Sequence, residues 1–104
     1  MAVDYLEKNQ VRVVERNFRN RFGEIDIIGY DGEYLVFFEV KYRRDLRKGS
    51  PAEAVSAGKC HTICKVADYY RMKHKIPENA FMRFDVIAIC GDEIRWFQNA
   101  FDYC

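Results

Sequence analysis

The chain has 104 residues, which is enough for one domain with a single hydrophobic core that needs no disulfide support. Its formal net charge is only +1, so overall charge gives no argument for binding a polyanion. We find no signal peptide and no long apolar run, so we expect a cytoplasmic protein that does not enter a membrane.

The four cysteines raise the question of a zinc site, because Cys60 and Cys64 are four residues apart on a predicted helix, with His61 between them. His61 lies about 100° away from the face that the two cysteines share. A structural zinc site needs four ligands, and no second cysteine pair lies nearby in the sequence. We therefore expect reduced thiols.

The first half of the chain predicts one helix and three strands. Residues 2–9 are typical of the end of a helix, with Leu6 towards the core, and the beginning of that helix is expected to be missing. A first strand is predicted over 11–18. Two strands over 22–30 and 34–42 form a hairpin.

The second half begins with a polar loop and a predicted helix start, where Ser50 is the N-cap, Pro51 takes the first helical position and Glu53 completes a capping box. Gly58 is expected to interrupt this helix. A second helical run is predicted over 59–75, and its core spacing comprises Ile63, Val66, Ala67 and Tyr70.

Pro77 ends the helical run, and strands over 82–90 and 94–98 follow. Both faces of the predicted hairpin carry large apolar side chains, and a strand that is apolar on both faces is covered on both faces. The prediction is a single α/β domain over residues 1–104, with a central mixed β-sheet flanked by helices.

Charged side chains interrupt one face of this hairpin. If Asp31 and Gly32 form the two-residue turn, Glu24 lies opposite Glu39. Side chains two residues apart share a face, so the charged set comprises Glu24, Asp26, Glu39 and Lys41. The opposite face is predicted to carry Ile25, Ile27, Val36, Phe38 and Val40.

Two carboxylates directly opposite each other repel, and a divalent cation would remove that repulsion. Asp26 and Glu39 are expected to lie diagonally, roughly 7–8 Å apart, which lets both reach one Mg²⁺ or Mn²⁺. The Val40 carbonyl and Glu24 are further candidate ligands. Lys41 would orient a water and stabilise charge. The alternative is an ordinary solvated face, or an ion pair of Lys41 with either acid.

Basic residues cluster directly after this strand. The run comprises Lys41, Arg43, Arg44, Arg47 and Lys48, and Lys59 follows at a helix start. A basic run alone is usually a solvated surface. Its attachment to the end of the acidic strand favours a rim that contacts phosphates.

The order of these motifs resembles a known family. Asp26 followed by Glu39-Val40-Lys41 is similar to the PD-(D/E)XK nuclease signature, which is loose by itself. The wider pattern resembles the YraN-like bacterial family over nearly the whole chain, through Arg16-Asn17-Phe18-Arg19, Gly23-Glu24-Ile25-Asp26-Ile27-Ile28, Phe38-Glu39-Val40-Lys41-Tyr42-Arg43, Gly49-Ser50-Pro51-Ala52-Glu53-Ala54-Val55, Lys59, Arg83-Phe84-Asp85-Val86 and Ala100-Phe101.

This resemblance implies a restriction-endonuclease-like core akin to archaeal Holliday-junction resolvases. It implies a Mg²⁺- or Mn²⁺-dependent endodeoxyribonuclease that acts on DNA, branched DNA included, and a homodimer would suit the cutting of junctions. Members of this family usually carry a longer first helix with a glutamate that this chain lacks. Two alternatives remain: a non-catalytic module that binds nucleic acid or protein on the same fold, and an interaction domain that pairs through an edge strand.

Overall fold

The computed structural model describes residues 1–44 and 55–104. Seven helices and strands follow one another in these ranges: α1 (Ala2–Lys8), β1 (Val11–Asn20), β2 (Gly23–Asp31), β3 (Tyr34–Tyr42), α2 (Ala57–Lys73), β4 (Met82–Cys90) and β5 (Glu93–Phe97). The predicted helix start at residues 50–53 lies outside the described residues. Every other predicted element is present, within two residues at each end.

The strands form one five-stranded sheet in the order β1-β2-β3-β4-β5. All neighbours are antiparallel except β3 and β4, which are parallel from Leu35↔Met82 to Tyr42↔Ile89. A parallel pair needs a long crossover, and α2 lies in the connection between these two strands. The predicted mixed α/β architecture is therefore confirmed.

A helix covers each face of the sheet, as expected from strands that are apolar on both sides. Beneath α2, the core contains Ile28, Leu35, Phe37, Phe84 and Val86, packed against the four predicted helix residues Ile63, Val66, Ala67 and Tyr70. Beneath α1, Leu6 packs in a second cluster with Ile27, Val36, Phe38, Ile87 and Ile89. Full burial of one such side chain contributes about 1.5–3 kcal/mol.

The hairpin register differs from the prediction by two residues. Asp31 pairs with Tyr34, so the turn consists of Gly32 and Glu33, and Gly32 has a φ of +60°. Asp31 stays in the strand because its carboxylate binds the Arg83 guanidinium at 2.9 Å. A shift of two residues leaves each side chain on its face. The prediction of which β3 side chains share a face is therefore still correct.

The pairing of β1 with β2 is irregular at two places, where the predicted alternation fails. The register shifts between Val13 and Glu15, which makes a bulge. Asn17 has a φ of +51°. The next residue, Phe18, and its partner on β2, Ile25, pack under α2. The prediction that Ile25 shares a face with Ile27 was therefore wrong.

The second helix begins two residues before the predicted run and ends earlier than Pro77. Ser56 is the N-cap, and its Oγ accepts a hydrogen bond from the Lys59 N–H at 3.2 Å. At the other end Lys75 adopts a φ of +54°, and the Ile76 N–H donates to the Arg71 carbonyl at 2.9 Å. This left-handed cap, not the proline, stops the helix.

Asp85 is fully buried, and its charge is compensated on every side. Its carboxylate accepts hydrogen bonds from Arg83, from the Trp96 indole at 2.7 Å and from the Asn99 N–H at 2.8 Å. Asp85 is therefore a structural ion-pair residue that fastens the segment after β5 to β4.

Gly29 lies beside the β1–β2 bulge, and a substitution there tests how closely the two main chains pack. A Cβ there would lie 2.9 Å from the Arg12 carbonyl oxygen, and a main-chain atom cannot turn aside. We expect Gly29→Ala to destabilise the fold by about 1–3 kcal/mol and to lower the Tm by roughly 10 °C. Gly58→Ala is the control, because a Cβ there meets nothing within 4 Å. Equal melting temperatures for the two variants would contradict this account.

Candidate active site

The pairing of β2 with β3 ends at Ile27 and Phe38, and Asp26 is the next residue of β2. Its Oδ2 accepts a hydrogen bond of 2.8 Å from the Val40 N–H. The carboxylate thus takes the place that a strand carbonyl would fill if the ladder continued. The ladder ends before Asp26 and Glu39 could pair, so their predicted diagonal arrangement across it stays a prediction.

Glu39 is the buried acid of the site, with only 6% of its surface exposed. Its Oε2 lies 3.6 Å from the Lys59 ammonium, at the start of α2. Within the described residues, this oxygen is buried and has no hydrogen-bond partner. A buried carboxylate oxygen without a partner is costly, and a bound cation would satisfy it.

The electrostatics show that the two acids are close together. Burial raises the pKa of Glu39 from its ordinary value of 4.5 to about 7, and the hydrogen-bonding and charge of Asp26 act in the same direction. Lys59 and Lys41 oppose this rise by their positive charge. The raised pKa means that, without a cation, this pair of carboxyl groups keeps a proton to a higher pH than an ordinary glutamate does.

Lys41 and Val40 complete the segment that the sequence singled out. Lys41 is half-buried and close enough to Glu39 to lower its pKa. Val40 packs against the α1 side of the sheet. The strand thus presents Glu39 with an ammonium group nearby, and the main chain of Val40 is tied to Asp26.

A cleft of about 340 Å³ gives access to Asp26 from the α1 side. Its lining comprises Met1, Ala2, Val3, Arg16, Asn17, Asp26, Ile27, Val40 and Tyr42. Residue-by-residue reasoning had not assigned Arg16 and Asn17 to the site. The sequence signal for both residues was the Arg16-Asn17-Phe18-Arg19 motif of the family resemblance, which gave them no role.

Glu24 lies elsewhere. It pairs with Arg19 of β1, and its carboxylate accepts the guanidinium at 2.7 Å. The prediction that Glu24 lies opposite Glu39 was wrong, because the hairpin register is shifted. The charge of Glu24 is already balanced on the neighbouring strand.

The predicted phosphate-contacting rim is only partly described. Arg43 and Arg44 are exposed directly after β3. Arg47 and Lys48 lie outside the described residues. Lys59 was expected on the rim, and the structure places its ammonium beside Glu39 instead.

The donor chemistry suits a hard cation, although the ligand set is small. Residues 1–44 and 55–104 contain no group of three or more histidine, cysteine or acidic side chains arranged for a metal. Two carboxylates and the neighbouring Val40 carbonyl are oxygen donors, and Mg²⁺ commonly uses one or two carboxylates and retains several waters. The unsatisfied Glu39 oxygen fits such an ion. The four cysteines are all described and are free thiols, as predicted.

The described structure defines an α/β domain, a five-stranded mixed sheet with two helices, that brings two acids together where two strands part. No helix within the described ranges is long and apolar enough to cross a membrane. A family model described as "Uncharacterised protein family UPF0102" matches residues 1–89, and the chain belongs to this family.

Relatives from distant bacteria match along almost the whole chain. The "UPF0102 protein" of Lachnoclostridium phytofermentans is 44% identical over 101 residues, which are 97% of this chain and 86% of that protein. The one from Shewanella loihica is 44% identical, covering 96% and 86%. The one from Legionella pneumophila is 38% identical, covering 98% and 88%.

The raised pKa of Glu39 predicts how stability depends on pH without divalent cations. The folded state binds this proton more tightly than the unfolded chain, so its contribution is complete below about pH 4.5 and is lost as the pH rises through about 7. We expect Glu39→Gln to gain stability relative to the parent protein over that window, by up to about 3 kcal/mol. Urea unfolding at several pH values measures this.

Glu33→Gln is the matched control for this titration, because Glu33 is exposed in the β2–β3 turn. Its stability should follow that of the parent protein across the same pH range. If Glu39→Gln also follows the parent protein, the pKa of Glu39 is not raised.

Proposed function

We propose that this protein is a divalent-metal-dependent nuclease that hydrolyses phosphodiester bonds of DNA, with a restriction-endonuclease-like core. The observation that carries the proposal is the buried Glu39 carboxylate beside Asp26 and two lysines, because one of its oxygens has no hydrogen bond within the described residues. A fold that needed only stability would not place a carboxylate there without a full set of partners. The proposal includes a cytoplasmic location, where DNA is accessible.

Each residue of the candidate site would have its own role in the reaction. Asp26 and Glu39, with the Val40 carbonyl, would hold Mg²⁺ or Mn²⁺, which neutralises phosphate charge and acidifies water when bound. Lys41 would position the attacking water and stabilise the negative charge that develops on the phosphate oxygens. The water oxygen would form a new bond to phosphorus and release a proton to solvent, one ester P–O bond would break, and the departing oxygen would take up a proton from solvent.

Lys59 is added to this site on the basis of its distance from Glu39. Its ammonium lies 3.6 Å from Oε2, so it balances the charge of Glu39 when no cation is present. When a phosphate occupies the site, the same ammonium can contact the phosphate. Arg43 and Arg44, with Arg47 and Lys48, would grip the flanking backbone, and such binding weakens as salt rises.

A second function is favoured by one observation. Asp26 already accepts the Val40 N–H, so this carboxylate has a structural role that does not need a metal. A non-catalytic module that binds DNA or protein on the same fold would keep that hydrogen bond. Metal binding separates the two functions.

The decisive test is incubation of linear and branched DNA with the protein, with and without Mn²⁺. We expect Mn²⁺-dependent cleavage that falls at least about 100-fold in Asp26→Asn, Glu39→Gln and Lys41→Ala. Asp26→Asn retains an amide oxygen that can accept from the Val40 N–H, so the fold is preserved. Calorimetry should show Mn²⁺ binding that is lost in Asp26→Asn and Glu39→Gln.

Glu33→Gln and Lys8→Ala are the matched controls, because both side chains are exposed and lie away from the site. They should cleave at the parent rate. The nuclease proposal fails if the parent protein neither binds Mn²⁺ nor cleaves any of the DNAs. Salt-sensitive DNA binding without cleavage would then support the non-catalytic module.

A further inference from the structure

A second surface lies on the α2 side of the molecule and shares no residue with the cleft at Asp26. It is a groove of about 730 Å³ between the β1–β2 turn and one face of α2. Its lining comprises Asn20, Arg21, Phe22, Lys65, Asp68, Tyr69 and Met72. We call this surface the turn groove.

The apolar part of the turn groove is open to solvent. Phe22 is 42% exposed, Tyr69 is 38% exposed and Met72 is 69% exposed. Scattered apolar side chains on a surface need no explanation, but three large ones in one groove indicate a binding surface. Two of the three are aromatic and can stack on a flat ring.

Two cations lie close to the Phe22 ring of the groove. The Arg21 guanidinium lies 4.9 Å from the centre of the Phe22 ring, and the Lys65 ammonium lies 5.4 Å from it. The acid in the lining is Asp68, which accepts a hydrogen bond from the Tyr103 hydroxyl and lies near Arg71. Arg21 and Lys65 therefore give the groove a positive character that suits an anion.

One polar atom in the groove wall is unsatisfied. Asn20 uses its Oδ1 to accept the Phe22 N–H at 2.8 Å. Its Nδ2 is buried and has no hydrogen-bond partner within the described part of the chain. Because this nitrogen is buried, a ligand in the groove would contact the exposed rings and the two cations and not the Asn20 amide nitrogen.

The groove is held in shape by the contact between its two walls. A Cβ on Gly23 would lie 2.6 Å from the Thr62 methyl, so the β1–β2 turn packs directly on α2. A preformed groove loses little entropy when a ligand binds.

We propose that the turn groove binds unpaired nucleotides of a DNA substrate. A base stacks against Phe22 and Tyr69, and the adjoining phosphates contact Arg21 and Lys65. Stacking of this kind needs bases that are not paired, so the preferred substrate contains a single-stranded segment. This inference rests on the proposed function in taking DNA as the ligand.

The test compares binding of a labelled single-stranded oligonucleotide with binding of the duplex of the same sequence, by fluorescence anisotropy at several salt concentrations. We expect Phe22→Leu and Tyr69→Leu each to weaken single-strand binding by about 5- to 100-fold, with a smaller effect on the duplex. Lys65→Gln should weaken binding of both and reduce the slope of log affinity against log salt by about 1.

Phe81→Leu is the matched control, because Phe81 is an aromatic residue that is 55% exposed and packs on Tyr34 outside the groove. Thermal melting confirms that each variant folds. Losses no larger than that of Phe81→Leu, or an equal loss for single strand and duplex in both leucine variants, would overturn the proposal.

Failure of the groove and failure of the nuclease can be told apart. If Asp26→Asn abolishes Mn²⁺-dependent cleavage while Phe22→Leu leaves single-strand binding unchanged, the nuclease stands and the groove proposal is wrong. If the parent protein binds single strands through the groove without cleaving any DNA, the groove stands and the nuclease proposal is wrong.

Discussion

The hydrogen bond from the Val40 N–H to the Asp26 carboxylate joins β2 to β3 at the point where their ladder ends. It lets the two strands part without leaving a main-chain donor unpaired, and unpaired buried donors are rare in folded proteins. The parting brings Asp26 and Glu39 together from different strands. Burial raises the pKa of Glu39, the neighbouring Asp26 raises it further, and the cleft on the α1 side reaches Asp26.

The surrounding sheet holds β3 in place where β3 separates from β2. The parallel pairing of β3 with β4 runs alongside Glu39, Val40 and Lys41 without interruption, so β3 stays fixed on one side while it loses β2 on the other. Apolar clusters on both faces hold the strand in place. A rigid strand keeps the Glu39 carboxylate near Lys41, and the proposed function depends on such preorganisation.

Two buried acids in this protein show how environment decides the role of a residue type. The Asp85 carboxylate accepts hydrogen bonds from Arg83, Trp96 and the Asn99 N–H, so both of its oxygens have partners within the fold. Glu39 has an oxygen with no hydrogen bond within the described ranges and a lysine 3.6 Å away. The first arrangement stabilises the protein by itself. The second leaves one oxygen without a hydrogen bond among the described residues, which is why we base the proposed function on it.

The alternation of apolar residues, the turn chemistry and the helix spacing were enough to predict the elements, the mixed sheet and the four core residues of α2, because local periodicity reports which faces are buried. The family resemblance could likewise be read from the order of the motifs. The hairpin register and the reversal at Ile25 could not, because they depend on partners far along the chain, such as Arg83 for Asp31. The pairing of Glu24 with Arg19 is local, and it was missed because the register of β1 against β2 was not predicted. The contact of Lys59 with Glu39 and the turn groove arise only when α2 packs on the sheet, since tertiary packing alone decides which distant side chains meet.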